Sequence, residues 1–448
     1  MLFRSAAAAQ DAREDAPRFT FDLDTRLVAD DNLGLAATSP GTVTYWENSL
    51  GLAFESETRR SRLGIGLGAV TRLGHVPGGD DLDGLGDADL EIAYAREVAD
   101  SRLSVDGRYA LRDLSVFDPF DDAIELEDGT IVTDNAGTRA TAFTGLTLET
   151  GLTRPLGLQF ELSQRRTAYT DTIDPDLSDD RETRAALGIR MRLTPTTEGL
   201  LEATRSHFTA EDALRRDRER RELSYGITHE LPRRARLEAR LGITDIEEEF
   251  RVGGVPPLEE RGVTGSLSLS RALPAGSIGF SAETRLETTG RRNSLSVERV
   301  IERETARLSL GLGVTSGEDG EVEPTADIVY EEALATGTFE ASLSQGIRTT
   351  DEDEDLSRLR LGLAYGHDID ALSRISLGVD YVSETELGAG SASDEERGTL
   401  SITYSRALTR DWALDLGYRY DFEETGTTAR ADGNRVFLGL SRSLTAFR

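Results

Sequence analysis

Apolar residues recur at every second position along most of this chain. Trp412, Leu414, Leu416, Tyr418 and Tyr420 alternate with Ala413, Asp415, Gly417 and Arg419. The same period appears in Phe19-Phe21-Leu23, Leu50-Leu52-Phe54, Leu63-Ile65-Leu67 and Leu156-Leu158-Phe160-Leu162. It continues through Leu223-Tyr225-Ile227, Leu308-Leu310-Leu312, Leu359-Leu361-Leu363-Tyr365 and Ile375-Leu377-Val379-Tyr381. Such spacing puts the apolar set on one side of a β-strand. No segment sustains a 3.6-residue period, so the pattern predicts little helix.

Turn signals divide the runs into hairpins of two kinds. Short connections include 153–157, 193–199, 230–235, 272–277, 367–373 and 407–412; long acidic ones lie at 74–89, 116–137, 171–182, 248–260, 349–355 and 385–396. The 12 prolines fall in turns, loops or strand starts, as expected of a residue that cannot donate to a sheet ladder. The runs give about 22 strands, with 18 or 20 as alternatives and 291–315 the hardest stretch to divide.

Geometry then decides which way the apolar face looks. A sheet this wide removes its edges most simply by closing on itself. Around eight strands already give an interior that side chains can fill, so some twenty would leave a lumen too wide for a dry core. The apolar face must therefore point outward. Its natural solvent is lipid, which a closed barrel can enter with every backbone group paired. The fold class predicted is all-β: a closed antiparallel transmembrane β-barrel with short periplasmic turns, long acidic extracellular loops and both termini periplasmic. Trp46, Trp412, Tyr418 and Tyr420 fall on the outward parity as membrane-girdle residues. Arg406, Arg442 and Glu332 share that parity, and Arg442 reads as a deep charge in the lipid face.

Composition narrows the function. The 448 residues carry 51 Lys+Arg and 82 Asp+Glu, a net charge of −31. All the basic residues are arginine, and there is no cysteine. Nucleic acid is excluded as a partner on charge, and disulfide or thiolate chemistry on composition. At the N-terminus, Ala7-Ala8-Ala9 before Gln10 has the small-residue look of a signal-peptidase site behind a short apolar core. Residues 1–18 are read as a signal-peptide remnant or leader, and 19–448 as the barrel.

The hairpin rhythm over 19–448 resembles the Gram-negative outer-membrane β-barrel proteins. "LVADDNLGL" (27–35) is similar to an early Asp-Asn segment of the beta-barrel porin families, some of which accompany exopolysaccharide export. The resemblance implies outer-membrane lipid, lipopolysaccharide and the barrel assembly machinery as partners, with small hydrophilic solutes or polysaccharide as cargo. Two features depart from outer-membrane patterns. Phe447 is penultimate and on the inward parity, where a terminal aromatic is usual. Only about 18 residues precede the first strand, which disfavours a receptor with an N-terminal plug.

The expected lumen-facing set is Asp22, Asp24, Arg26, Asp106, Arg108, Arg112, Arg190, Arg236, Arg240, Arg358, Arg360, Asp380, Asp415 and Arg419. Arginines opposite carboxylates either bias which solutes pass or neutralise one another across strands. Asp80, Asp81, Asp83, Asp87 and Asp89 cluster among glycines, and hard oxygens at that density suit Ca²⁺. A solvated acidic loop is the competing reading; beyond that ion, no cofactor is expected. The only histidines, His75, His207, His229 and His367, are scattered, and Ser206 and His207 face opposite sides of a strand, so no enzyme is expected. The leading function is a porin-like channel for passive diffusion through a charged lumen. The alternatives are an outer-membrane component of exopolysaccharide export and a non-membrane β-rich surface protein.

Overall fold

The computed structural model describes residues 17–447 except 40, 78–80, 117–136, 173–176, 318–319, 321, 350–354, 388–393 and 426–429. The leader expected at 1–18 lies outside the described residues up to position 16.

Strand follows strand with almost no interruption. The first are β1 (Arg18–Asp30), β2 (Val43–Glu57), β3 (Ser61–His75), β4 (Leu82–Val98), β5 (Ser101–Asp113) and β6 (Thr138–Thr150). Next come β7 (Leu156–Thr170), β8 (Asp180–Thr194), β9 (Thr197–Ala210), β10 (Arg216–Leu231), β11 (Ala235–Phe250) and β12 (Leu258–Leu273). The uncertain stretch divides into β13 (Gly276–Glu287), β14 (Gly290–Glu302) and β15 (Ala306–Ser316). Then follow β16 (Val322–Leu334), β17 (Gly337–Thr349), β18 (Asp355–Asp368) and β19 (Ser373–Glu386). The last are β20 (Asp394–Ala407), β21 (Trp412–Thr425) and β22 (Ala431–Phe447). A three-residue 3₁₀ turn at Pro232–Arg234 is the helical element among the described residues.

Every strand pairs antiparallel with its sequence neighbours, and β1 pairs with both β2 and β22 from Arg18↔Phe447 to Asp30↔Arg435. The sheet is a closed 22-stranded antiparallel barrel, as the alternation predicts. The start of β1 and the end of β22 meet at the short-turn rim.

Strand length corrects the expected loops. Strands of 11 to 17 residues exceed the roughly 9–11 needed to cross a hydrocarbon core. Their long-loop ends therefore stand clear of the apolar belt and consume sequence that reads as loop. The stretch 74–89 keeps only 76–81 as a connection, because β4 starts at Leu82. In β10 the segment "RDRERRE" precedes the alternation Leu223, Tyr225, Ile227. Its outward residues form a charged collar with their neighbours: Arg205 and Arg221 bond Glu219 at 2.6 and 2.5 Å, and His207 bonds Asp217 at 2.7 Å.

Below this collar the outer face is apolar. Leu50, Leu52, Leu241, Leu416, Leu438 and Leu440 are all exposed there. Aromatic residues gather near the short-turn rim, as in the Phe19–Phe54 and Tyr330–Phe339 pairs. Trp46 is half exposed toward the opposite rim. Arg442, read from sequence as a deep charge, faces Trp412 across the β21–β22 pair, at the first residue of β21. Its guanidinium lies 5.2 Å from the indole centroid, an edge position where a cation over an aromatic face is tolerated. Glu332 accepts the Tyr330 hydroxyl at 2.8 Å, and Arg406 lies one residue from the end of β20.

The seam between β1 and β22 has its own fastening at the long-loop rim. Asp30, 3% exposed, bonds Arg435 at 2.7 Å. Asp31 accepts the Asn434 amide at 2.6 Å and its side-chain NH₂ at 2.9 Å. Asn32 donates to the carbonyls of Ala36 and Asp432 at 2.8 and 2.9 Å. The Asp-Asn segment noted in the sequence is thus a structural clasp. Asp30→Ala is expected to cost about 1–3 kcal/mol, since it removes a charge-assisted bond between a buried carboxylate and the Arg435 guanidinium. Urea unfolding of the barrel in lipid vesicles measures this; a loss below about 0.5 kcal/mol, the range of an ordinary surface substitution, would remove the clasp from the account.

Candidate functional site: an ionic lumen with a covered mouth

Contacts between strands that are not neighbours identify the concave side. Arg220 on β10 reaches Glu287 on β13 at 3.4 Å, across β11 and β12. Following the registers outward from Arg220 assigns every paired residue to a face.

All fourteen residues expected in the lumen fall on the concave parity, and most have partners one strand away or two residues along. Arg26 bonds Asp24 at 2.7 Å and Arg112 bonds Asp89 at 2.7 Å. Arg108 approaches Glu91 at 3.6 Å, Arg236 bonds Glu238 at 2.6 Å and Arg240 reaches Glu202 at 3.4 Å. Arg419 bonds Asp421 at 2.8 Å, while Arg190 donates to the Gly151 carbonyl at 3.0 Å. Asp415 accepts the hydroxyls of Ser405 and Ser441 at 2.5 and 3.1 Å. Asp22, Asp106 and Asp380 lie beside Gly51, Gly145 and Gly362, where the wall has no side chain of its own. Arg358 approaches Glu384 at 3.4 Å, and Arg360 lines a cavity between β14 and β18.

The most buried ion pairs lie higher, at strand ends that border or enter the stretches the sequence reading leaves as loops. Arg72 bridges Glu47 at 3.0 Å and Asp87 at 2.6 Å. Arg397, 0% exposed, joins Glu384 at 2.8 Å and Glu395 at 2.5 Å. Thr244 and Glu248 on β11 are also fully buried. The available signal is an arginine on the inward parity just beyond the outward leucines, continuing the period of two.

Two segments cover the mouth. The first is the β1–β2 connection, described at 31–39 and 41–42. Its Leu33 packs with Val28, Val43, Tyr45 and Val116, and its Leu35 with Leu114, Ala431, Tyr169 and Leu177. Leu35 therefore shares a cluster with Leu114, just past the end of β5, and with Tyr169 of β7, beyond β2, β3 and β4. It does so with φ 46°, a left-handed backbone that costs a non-glycine residue roughly 1–2 kcal/mol and is held by this burial.

The second is the tip of the β13–β14 hairpin. Pairing with β12 stops at Gly265↔Thr284, and the tip leaves the wall. Leu286, 3% exposed, packs over the inner face of Gly262, where an added Cβ would meet it at 3.5 Å. Glu287 reaches Arg220, while Arg292 bonds Asp355 at 2.5 Å and Thr349 at 3.0 Å. Thr289 adds a bond to Asp355 at 3.2 Å. The sequence carries one clue: the turn 288–289 is short at a rim where every other connection is longer.

The carboxylates proposed for calcium do not share a loop. Asp80 lies outside the described residues. Asp81 bonds His75 at 2.5 Å, Asp87 and Asp89 serve Arg72 and Arg112, and Asp83 pairs in register with Leu73 on the outward side. The physical reason is the early start of β4 together with a bulge opposite Val70–Thr71, which turns Asp83 to the convex face while Asp87 and Asp89 stay on the concave one. Among the described residues no three His, Cys, Asp or Glu side chains converge on one point. His229 contacts Thr197 and His367 stacks on Tyr365, so the four histidines sit at separate places on the wall.

No family model matches the sequence, and no curated protein matches it. Solved structures share its architecture. The FrpB iron transporter from Neisseria meningitidis, in its apoprotein form, aligns with a TM-score of 0.63 at 9% identity, covering 95% of this chain and 81% of that one. The ferric-catecholate import receptor Fiu from E. coli K12 aligns with a TM-score of 0.59 at 9% identity, over 97% of this chain and 82% of the receptor. The siderophore receptor PirA from Pseudomonas aeruginosa gives 0.54 at 9% identity, over 96% and 80%. The three are an iron transporter, an import receptor and a siderophore receptor by name. At such identities the likeness carries architecture alone: this chain has the 22-stranded fold of outer-membrane β-barrels.

Proposed function

We propose that this protein is an outer-membrane transport barrel that passes small hydrophilic solutes along its ionic inner wall, with passage restricted by its own mouth segments. The observation that carries this reading is the pairing of an exposed leucine belt outside with arginine–carboxylate contacts inside one closed cylinder. On this reading the belt contacts membrane lipid and the charged collar contacts lipopolysaccharide. The short turns and both termini face the periplasm, and the barrel assembly machinery inserts the chain. Passive diffusion is the mechanism proposed. A ligand-triggered import receptor is the second reading, favoured by the covered mouth and by the receptors that share the fold.

Single-channel recording in planar bilayers separates the two. Passive diffusion predicts small ohmic steps without any ligand. Replacing Leu33 and Leu35 by serine is expected to raise step conductance about twofold or more, because it releases the β1–β2 connection from the mouth of a water-filled pore. Silence from both proteins would discard passive diffusion and leave the receptor reading.

A further inference from the structure

The β16–β17 seam is open at its upper end. Their pairing stops at Ala326↔Gln345. Yet β16 continues to Val322 in register with β15, and β17 continues to Thr349 in register with β18. Four residues on each side, about 13 Å of strand at 3.4 Å per residue, are unzipped while each remains paired on its other edge.

The sequence accounts for the opening. Pro324 lies within the unzipped part of β16, and proline has no N–H to give a ladder. Continuing the register would set it opposite Ile347 and set Thr325 opposite Gly346. A Cβ built on Gly346 meets nothing within 4 Å, so this part of the wall borders open space.

A cavity of about 620 Å³ occupies the gap, and its lining comes from both faces of the sheet. Glu298, Asp327, Arg358 and Arg360 belong to the concave parity; Leu312 and Ile347 belong to the convex one. The cavity draws its lining from both parities at a place where no ladder closes the wall. The equivalent split between β12 and β13 is different, since Leu286 and Arg291 fold back over Gly262 there. On the convex side the flanking residues are apolar, with Leu312 at 60% and Val322 at 62% exposure. From Leu334 to Ala326 a strand tilted by ~45° climbs roughly 20 Å, which puts the gap in the outer half of a bilayer.

Unpaired backbone groups are not tolerated in hydrocarbon unless something polar meets them. We infer that the β16–β17 gap is a lateral binding cleft for an amphiphile with an anionic head. A carboxylate or phosphate lies inside near Arg358 and Arg360, and its acyl chain passes out between Leu312 and Ile347 into the membrane. The guanidinium geometry suits either head group, and the apolar lips suit the chain. The inference rests on the outer-membrane reading of the barrel.

The test uses the full-length barrel in a neutral maltoside detergent, with laurate, dodecyl phosphate and dodecyltrimethylammonium as probes and binding read by calorimetry. Both anions are expected to bind and the cation is not. Gly346→Trp, which fills open space, is expected to weaken anion binding at least tenfold, and Arg358→Gln to weaken it several-fold. Binding of laurate alone points to a free fatty acid as the source, and of dodecyl phosphate alone or both to a phosphorylated lipid. Equal binding of the cation, or anion affinity untouched by Gly346→Trp, overturns the cleft. Heat-modifiable gel mobility is measured on every sample. A barrel that shows it but binds neither anion refutes the cleft alone, whereas loss of it in the unmodified protein refutes the membrane reading as well.

Discussion

Arg397→Ala is expected to destabilise the barrel by about 3–5 kcal/mol, the range for breaking a buried ion pair on one side only. Arg397 is fully buried between Glu384, itself 4% exposed, and Glu395. Its removal leaves two carboxylates close together in a site with little water. Arg358 still approaches Glu384 at 3.4 Å, which places the loss toward the lower end of that range. Urea unfolding in lipid vesicles gives the number. Adding Glu384→Gln to Arg397→Ala is expected to recover part of the loss, because the second change relieves the repulsion between the Glu384 and Glu395 carboxylates. Additive losses would show that the two side chains do not act on each other.

Leu416→Arg is expected to cost about 2–4 kcal/mol, the penalty for a cation at the midplane of a barrel's lipid face. Leu416 is 48% exposed and flanked in register by Leu438 and Tyr404. Thr403→Arg supplies the control. It lies on the neighbouring strand, opposite Gly417 on the concave parity, where an added arginine meets water and is expected to cost less than about 1 kcal/mol. The same unfolding assay reads both. Equal costs, or a larger cost at position 403, would mean that the leucines do not face lipid.

Much of this was legible because β-strand periodicity is local. A residue's face follows from counting by twos, so Asp22, Arg108, Asp380 and Arg419 could be placed on the inner wall without knowing what lay opposite. Their partners were harder to foresee. Whether Arg112 meets Asp89 or some other carboxylate depends on register, and register depends on where β4 starts, which the acidic glycine-rich stretch 78–91 conceals. The same concealed register separates Asp83 from Asp87 and Asp89, three of the carboxylates considered for calcium. Arg442 was misjudged in depth because its level is set by Trp412, thirty residues earlier. Of the two covers of the mouth, the first left no sign and the second only the short turn at 288–289. Leu35 lies in an ordinary-looking connection and Leu286 at the end of an ordinary-looking strand, and nothing near them in sequence announces Leu114, Tyr169 or Gly262 as neighbours. The open β16–β17 seam had one local mark, Pro324, which reads equally well as a strand start.

The bond between the first and last strands bears on how the molecule is made. Arg18 meets Phe447, a separation of nearly the whole polypeptide, and contacts so remote form slowly because the ring of chain between them must first be gathered. Hairpins from β2 to β21 can zip in any order as they arrive, but none of them removes the two raw edges of the growing sheet. Only the arrival of residues 431–447 does so, and until then the intermediate exposes both edges to neighbouring chains.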